Sequence, residues 1–203
     1  MHTVDTPASR RAAIVALTLA CTPLGAYASG FQLNENSVSG LGNAFAGGAA
    51  QARDATTLWS NPAGMSRLGD AQLSGALHLI APSLRFRNDA SVAAAGQGLG
   101  GNGGDAGGLA PVPNFYLVKP IDSRIAIGLG VNAPWGLVTE YDDGWAGRFQ
   151  AIKSSIKTVN INPSLSYKAS DAIALGFGLD VQHMSAEFTN RVNYAGALLS
   201  AAA

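Results

Sequence analysis

Large apolar side chains recur at every second position along much of this chain. The clearest run is 124–135, where Ile125, Ile127, Leu129, Val131, Ala133 and Trp135 alternate with Arg124, Ala126, Gly128, Gly130, Asn132 and Pro134. A period of two sends successive side chains to opposite faces of an extended strand. The run 157–168 repeats the pattern, with Val159, Ile161, Pro163, Leu165 and Tyr167 set against Asn160, Asn162, Ser164, Ser166 and Lys168. So does 172–188, with Ile173, Leu175, Phe177, Leu179 and Val181 set against Ala174, Gly176, Gly178, Asp180 and Gln182. Weaker alternation covers 71–87 and 112–121. Five strands are therefore predicted. Residues 29–70 do not alternate; they are rich in Gly, Ala, Asn and Ser, with short helical turns predicted around 40–52, and suit a compact plug.

The faces opposite the apolar ones carry small, mostly uncharged residues. A sheet wetted by bulk water favours Lys, Glu and Thr there, whereas Gly, Ala, Asn and Ser suit a crowded lumen. The runs are long enough to cross a bilayer as tilted strands, which takes ~9–11 residues. The connections alternate in length: 121–124 and 168–171 are tight, 88–110 and 140–155 long. Short periplasmic turns and long external loops are the outer-membrane pattern. Composition agrees. Charged residues make up 13%, against roughly 25% in soluble domains. No segment after the N-terminus approaches the ~20 consecutive apolar residues of a spanning helix. Net charge is zero, so no footprint for nucleic acid appears. The pattern points to a transmembrane antiparallel β-barrel with an N-terminal hatch of short helices and loops. Five strands cannot close, because single-chain barrels use even numbers from roughly eight upward. The 203 residues are thus expected to be an incomplete, N-terminal set of strands.

The first residues read as an export signal. Arg10 and Arg11 precede the apolar stretch Ala12–Ala20, and Ala26-Tyr27-Ala28 supplies a small-x-small cleavage site. The mature protein is expected to begin at Ser29, which N-terminal sequencing would read directly. The chain's single cysteine, Cys21, falls inside this leader, so disulfides and thiol chemistry are not expected in the mature chain. The predicted organisation is signal peptide 1–28, hatch 29–70, and barrel strands 71–203 ending in a long extracellular loop.

Candidate chemistry is sparse. Gly100–Gly108 looks like one copy of a calcium-binding nonapeptide, but that site needs stacked copies, and the segment reads as a flexible external loop. Glu140, Asp142 and Asp143 cluster, yet supply too few ligands for a cation cage. His78 and His183 lie on strands without partners at metal spacing. No Ser-His-Asp, P-loop or dinucleotide signature stands out, so neither an enzyme nor a cofactor is expected. Asn61-Pro62-Ala63 reads locally as an ordinary Asn-Pro turn.

Several segments together resemble the FadL family of outer-membrane transporters of long-chain fatty acids and other hydrophobic compounds. They are Ala28–Glu35 (A-S-G-F-Q-L-N-E), Ser39–Gly47 (S-G-L-G-N-A-F-A-G), Arg53-Asp54-Ala55 followed by Trp59–Met65 (W-S-N-P-A-G-M), and Ala133–Tyr141 (A-P-W-G-L-V-T-E-Y) followed by Gly144–Phe149. The resemblance implies a fourteen-stranded barrel around a hatch, about twice the length of this chain. It also implies a monomer when complete, set among outer-membrane lipid and lipopolysaccharide. The expected ligand is a long-chain fatty acid or another hydrophobic small molecule, and the expected location is the bacterial outer membrane. Ser29, Gly30 and Phe31 would contact ligand, with Phe31 as the plug of a tight site. Asn61, Pro62 and Ala63 would form the hatch motif. Ala133, Pro134, Trp135 and Gly136 would form a lateral gate in a kinked third strand. Pro134 is a departure from the family's usual residue, and a proline cannot donate a ladder hydrogen bond. The competing reading is a general diffusion porin or a structural barrel. A porin wants an open lumen lined with charge, and these inner faces carry Asn, Ser and Gly.

Overall fold

The alternating pattern folds into one antiparallel sheet of seven strand segments. The computed structural model describes residues 30–202; the predicted leader 1–28 and Ser29 lie outside the described residues. The segments are β1 (Gln72–Ile80), β2 (Ala110–Pro120), β3 (Ile125–Asn132), β4 (Gly136–Glu140), β5 (Lys153–Lys168), β6 (Ala174–Gly178) and β7 (Val181–Thr189). They make five ribs. β3 and β4 lie end to end along one edge of β5, and β6 and β7 lie end to end along its other edge.

Several boundaries differ from expectation. β1 stops at Ile80 rather than running to 87. Pro82 follows, and the chain turns so that Ser83 Oγ (2.6 Å), the Leu84 N–H (2.8 Å) and Arg85 Nε (3.1 Å) all donate to Asp105. β5 starts at Lys153, before alternation is visible, because its first residues pair with β4 on one edge and β7 on the other. The fifth rib breaks at Leu179–Asp180. Leu179 donates to the Pro163 carbonyl at 3.0 Å, but proline has no N–H to return the bond.

The two faces sort as the sequence requires. Phe115, Leu117, Ile127, Leu129, Val159, Ile161, Leu165 and Tyr167 are exposed on one face. Asn114, Tyr116, Val118, Ala126, Asn160, Asn162, Ser164 and Ser166 are buried on the other. The N-terminal layer holds helices α1 (Val38–Leu41) and α2 (Thr57–Ser60) and a 3-10 helix at Pro62–Arg67, and the last two lie against that inner face. Short polar caps start these turns. Ser37 accepts from the Gly40 N–H at 2.9 Å, and Asp54 accepts from the Thr56 N–H at 2.9 Å. Ala55, Leu58, Met65 and Leu68 from this layer pack with Tyr116, Val118 and Ala126 of the sheet. Burying one such Leu or Met contributes about 1.5–3 kcal/mol. The small inner-face residues make the room: a Cβ on Gly128 would run into Leu58 and lie 2.7 Å from Met65 Sδ.

The two tight turns are built alike. Asp122 Oδ1 accepts from the N–H groups of Arg124 (2.7 Å) and Ile125 (2.8 Å). Ser170 Oγ accepts from those of Ala172 (3.3 Å) and Ile173 (3.1 Å). At the other end of the ribs the glycine-rich segment is held rather than free, which corrects the flexible-loop expectation. Gly101 exchanges bonds with Gly144 and Ala146, Gly103 accepts from Asp142, and Ala106 accepts from Glu140. Trp145 anchors the pair of loops. Its ring stacks on Tyr141 at 4.0 Å and meets Phe86 edge-on at 5.5 Å. Arg148 donates to the carbonyls of Gly98 (2.6 Å) and Leu99 (3.1 Å). Beyond β7, helix α3 (Tyr194–Ala201) is capped by Asn193, which accepts from Gly196 at 2.9 Å and also accepts from Gln97 at 3.1 Å.

Asp105 is the pin of the first long loop. The Ser83 hydroxyl, then the N–H groups of Leu84 and Gly107 and the Arg85 side chain, hold its carboxyl well below the usual carboxylate range. A carboxylate depressed in the folded state stabilises above its unfolded value of 3.8 and loses that contribution only as pH falls through the lowered value. Asp105→Ala is therefore expected to expose 81–109 to protease at pH 7 and pH 5 alike. The unmodified loop should resist at both, and limited proteolysis followed by mass spectrometry checks this.

Candidate functional site

The third rib carries the most unusual geometry in the sheet. Asn132 pairs with Asn160, and the next pair is Gly136 with Lys157. Ala133, Pro134 and Trp135 thus stand opposite only Thr158 and Val159, a one-residue excess that bends the rib as a bulge does. Pro134 contributes by withholding an N–H. Thr158 repairs part of the ladder with its side chain: Oγ1 donates to the Trp135 carbonyl at 2.6 Å and accepts from the Trp135 N–H at 3.0 Å.

The rest of the repair comes from the N-terminal segment. Gln32 bridges antiparallel to Trp135. The Leu33 N–H donates to the Pro134 carbonyl at 2.9 Å, and the Gly136 N–H donates to the Phe31 carbonyl at 3.0 Å. A Cβ on Gly136 would lie 3.0 Å from Leu33 Cδ1. Two backbone bonds and one leucine therefore hold residues 31–33 against the break in the wall. Phe31 is there through its backbone, and the residue is 44% exposed. The sequence singled out Phe31 and Ala133–Gly136; the structure brings them together with Gln32, Leu33 and Thr158, which the sequence had not singled out. Thr158 was visible only as one more polar residue on an inner face.

Asn61-Pro62-Ala63 lies elsewhere, under β5 and β6. Asn61 Nδ2 donates to the Ala49 carbonyl at 2.8 Å, and its Oδ1 accepts from the Ala63 N–H at 3.2 Å. Pro62 opens the 3-10 helix, where its missing N–H costs nothing. The Ala63 carbonyl accepts from Ser166 Oγ of the wall at 3.1 Å. Gly176 of β6 faces the same spot, and a Cβ there would strike the backbone of Ala63 and lie 2.6 Å from the Pro62 carbonyl carbon. The turn is thus a docking point between hatch and wall, well apart in the chain from the kink.

The remaining polar candidates are dispersed. Asp143 pairs with Arg191 at 3.3 Å. His78 is buried on β1, its Nε2 without a hydrogen-bond partner among the described residues. His183 stands opposite Val159.

A family model described as outer membrane protein transport protein (OMPP1/FadL/TodX) matches residues 19–203. This chain belongs to the FadL family. Among its relatives, outer membrane protein P1 of Haemophilus influenzae is 34% identical over 173 residues, covering 80% of this chain and 38% of that one. The long-chain fatty acid transport protein of Escherichia coli K12 is 31% identical over 189 residues, covering 92% and 41%. The crystal structure of a FadL homologue from Pseudomonas aeruginosa superposes with a TM-score of 0.63 at 29% identity, over 78% of this chain and 38% of that one. This FadL-family chain therefore spans about two fifths of the length of these relatives, 38% to 41%. Its five ribs are an antiparallel partial barrel of the FadL type. Among the described residues no helix is long and apolar enough to cross a membrane, and a β-barrel crosses with strands.

Proposed function

We propose that this chain supplies the hatch and the gate-bearing wall of an outer-membrane importer for long-chain fatty acids or similar hydrophobic molecules. Ligand captured outside reaches the N-terminal segment, displaces it, and leaves sideways through the wall at Ala133–Gly136 into the lipid. Phe31 is the ring the ligand displaces, and Leu33 is the stopper on Gly136. The observation that carries this reading is the pair of backbone bonds from residues 31 and 33 to Gly136 and Pro134. A permanent wall would close its own ladder. Here a terminal segment closes it, and such a segment can be withdrawn. The apolar outer face supports a lipid setting for the exit, and Asn61–Ala63 with Ser166 and Gly176 would fix the hatch while its N-terminus moves. Export through a cleaved leader, 1–28, belongs to the same reading.

The test is selectivity in cells lacking their own importer. The protein in its native context should give saturable uptake of oleate or toluene and exclude a small sugar of similar mass. Comparison of the two hydrophobic probes then names the ligand class. Sugar entry without saturable uptake of either probe would make the protein a diffusion porin.

A further inference from the structure

The inner face carries a hydrogen-bonded amide row directly beside the kink. Asn132, the last residue before the break, pairs across the sheet with Asn160, and Asn160 with Gln182. Asn114 lies one step beyond the Phe115–Val131 pair, level with Asn132. Four neighbouring ribs thus present a carboxamide at the same height. One level nearer the tight turns stand Tyr116, Gly130 and Asn162, with Asp180 opposite Asn162 in the break of the fifth rib.

Tyr116, Asn132, Asn160, Asn162 and Asp180 are linked by hydrogen bonds. Asn160 Nδ2 donates to Asn132 Oδ1 (3.3 Å) and to Asp180 Oδ1 (2.7 Å), and Asn162 Nδ2 donates to the same carboxylate oxygen at 2.8 Å. Asn132 Nδ2 donates to Tyr116 Oη at 3.1 Å, and Ser164 Oγ donates to Asn162 Oδ1 at 2.7 Å. Asn114 Nδ2 donates to the Glu35 carbonyl of the hatch at 3.3 Å. Asn114, Asn132, Asn160 and Asn162 are all buried, Asn160 to 1% exposure. Beyond the row, toward the tight turns, Leu58 and Met65 of the hatch fill the space over Gly128.

We propose that this amide row is the floor of the exit: it stops an apolar ligand at the height of the kink and sends it outward. The inference rests on the lateral-exit reading above. An alkyl chain moving further along the lumen would have to part buried amides from each other and from a carboxylate, and it offers no hydrogen bond in return. At the height of the kink the choice is different, because displacing Leu33 opens apolar surroundings on the lipid side. The row therefore sets direction. The polar residues need not touch the ligand in the exit path; they act by making the alternative path unfavourable.

A long-chain fatty acid bearing a terminal diazirine, photolysed on the protein in native outer membranes, maps where the ligand goes. Adducts are expected on 133–140 and 153–158. Residues 126–130 and 162–166 should carry roughly tenfold less, a factor that corresponds to about 1.4 kcal/mol. Asn160→Leu and Asn132→Leu, checked for assembly by heat-modifiable mobility, should raise labelling of 126–130 and 162–166 by about that factor and lower uptake into the membrane. Equal labelling on both sides of the row in the unmodified protein would overturn the proposal, as would assembled variants with an unchanged map. If neither variant assembles, the map of the unmodified protein alone decides. Uptake indifferent to Gly136→Arg would sink the exit reading instead, whatever the map shows, so the two failures are distinguishable.

Discussion

Gly136→Arg is expected to lower uptake of hydrophobic ligand by roughly tenfold or more, equivalent to at least about 1.4 kcal/mol on the limiting step, while the protein still assembles. Gly136 opens β4 just past the kink, and its missing side chain is the space that Leu33 fills: a Cβ would already stand 3.0 Å from Leu33 Cδ1. A guanidinium stem cannot share that space. It would lie across the opening and reach toward solvent or headgroups with its charge, as long cationic side chains do. The Gly136 N–H to Phe31 carbonyl bond (3.0 Å) is a backbone interaction and need not break. Assembly is expected to survive because β4 keeps all its pairs with β5. Uptake of labelled oleate at matched outer-membrane levels measures the effect, and an assembled variant with undiminished uptake would remove the gate from this position.

Gly176→Val is expected to do the opposite damage, harming assembly before transport. The inner side of Gly176 faces the backbone of Pro62 and Ala63 rather than a flexible side chain. A branched side chain there must push the hatch off the wall. That would break the Ser166 Oγ bond to the Ala63 carbonyl (3.1 Å) and loosen the packing of Met65, which is wholly buried. Overpacking of this kind costs about 1–3 kcal/mol, or more where backbone must move. The expected result is loss of the heat-modifiable, protease-resistant form. Gly178→Ala is the milder neighbour for comparison, because a Cβ there meets the Ser164 and Asn162 side chains, which can turn aside. A fully protease-resistant Gly176→Val protein would show that the hatch is not docked at this point.

Much of this was legible in the sequence because strand periodicity is a local signal. Ile125–Val131 and Val159–Tyr167 declare their faces with no knowledge of the fold, and the tight turns at Asp122 and Ser170 declare themselves by composition. Pro134 and Gly136 marked a weak point in the third rib for the same local reason. What stayed hidden was pairing between distant segments. Nothing near Gln32 or Leu33 says that they will bond to residues about a hundred positions later, and only the folded sheet puts Leu33 on Gly136. The start of β5 was missed because Lys153, Ser154 and Ser155 do not alternate; they are strand because both edges are occupied. The glycine-rich segment misled in the other direction. Its glycines suggested freedom, whereas they let the chain lie close against Trp145 and Asp142.

A reversible lock tests most directly whether withdrawal of the N-terminal segment opens the wall. Gln32 and Trp135 face each other in a pair flanked by the backbone bonds of Leu33 and Gly136. Directly opposed residues of that kind sit about 4.5 Å apart at Cα, within disulfide range. In a protein with Gln32→Cys and Trp135→Cys, oxidation is expected to form the cross-link in native membranes and stop uptake of labelled oleate. Reduction should restore uptake to the level of the same variant before oxidation. Uptake that continues unchanged through a quantitatively cross-linked protein would contradict the account.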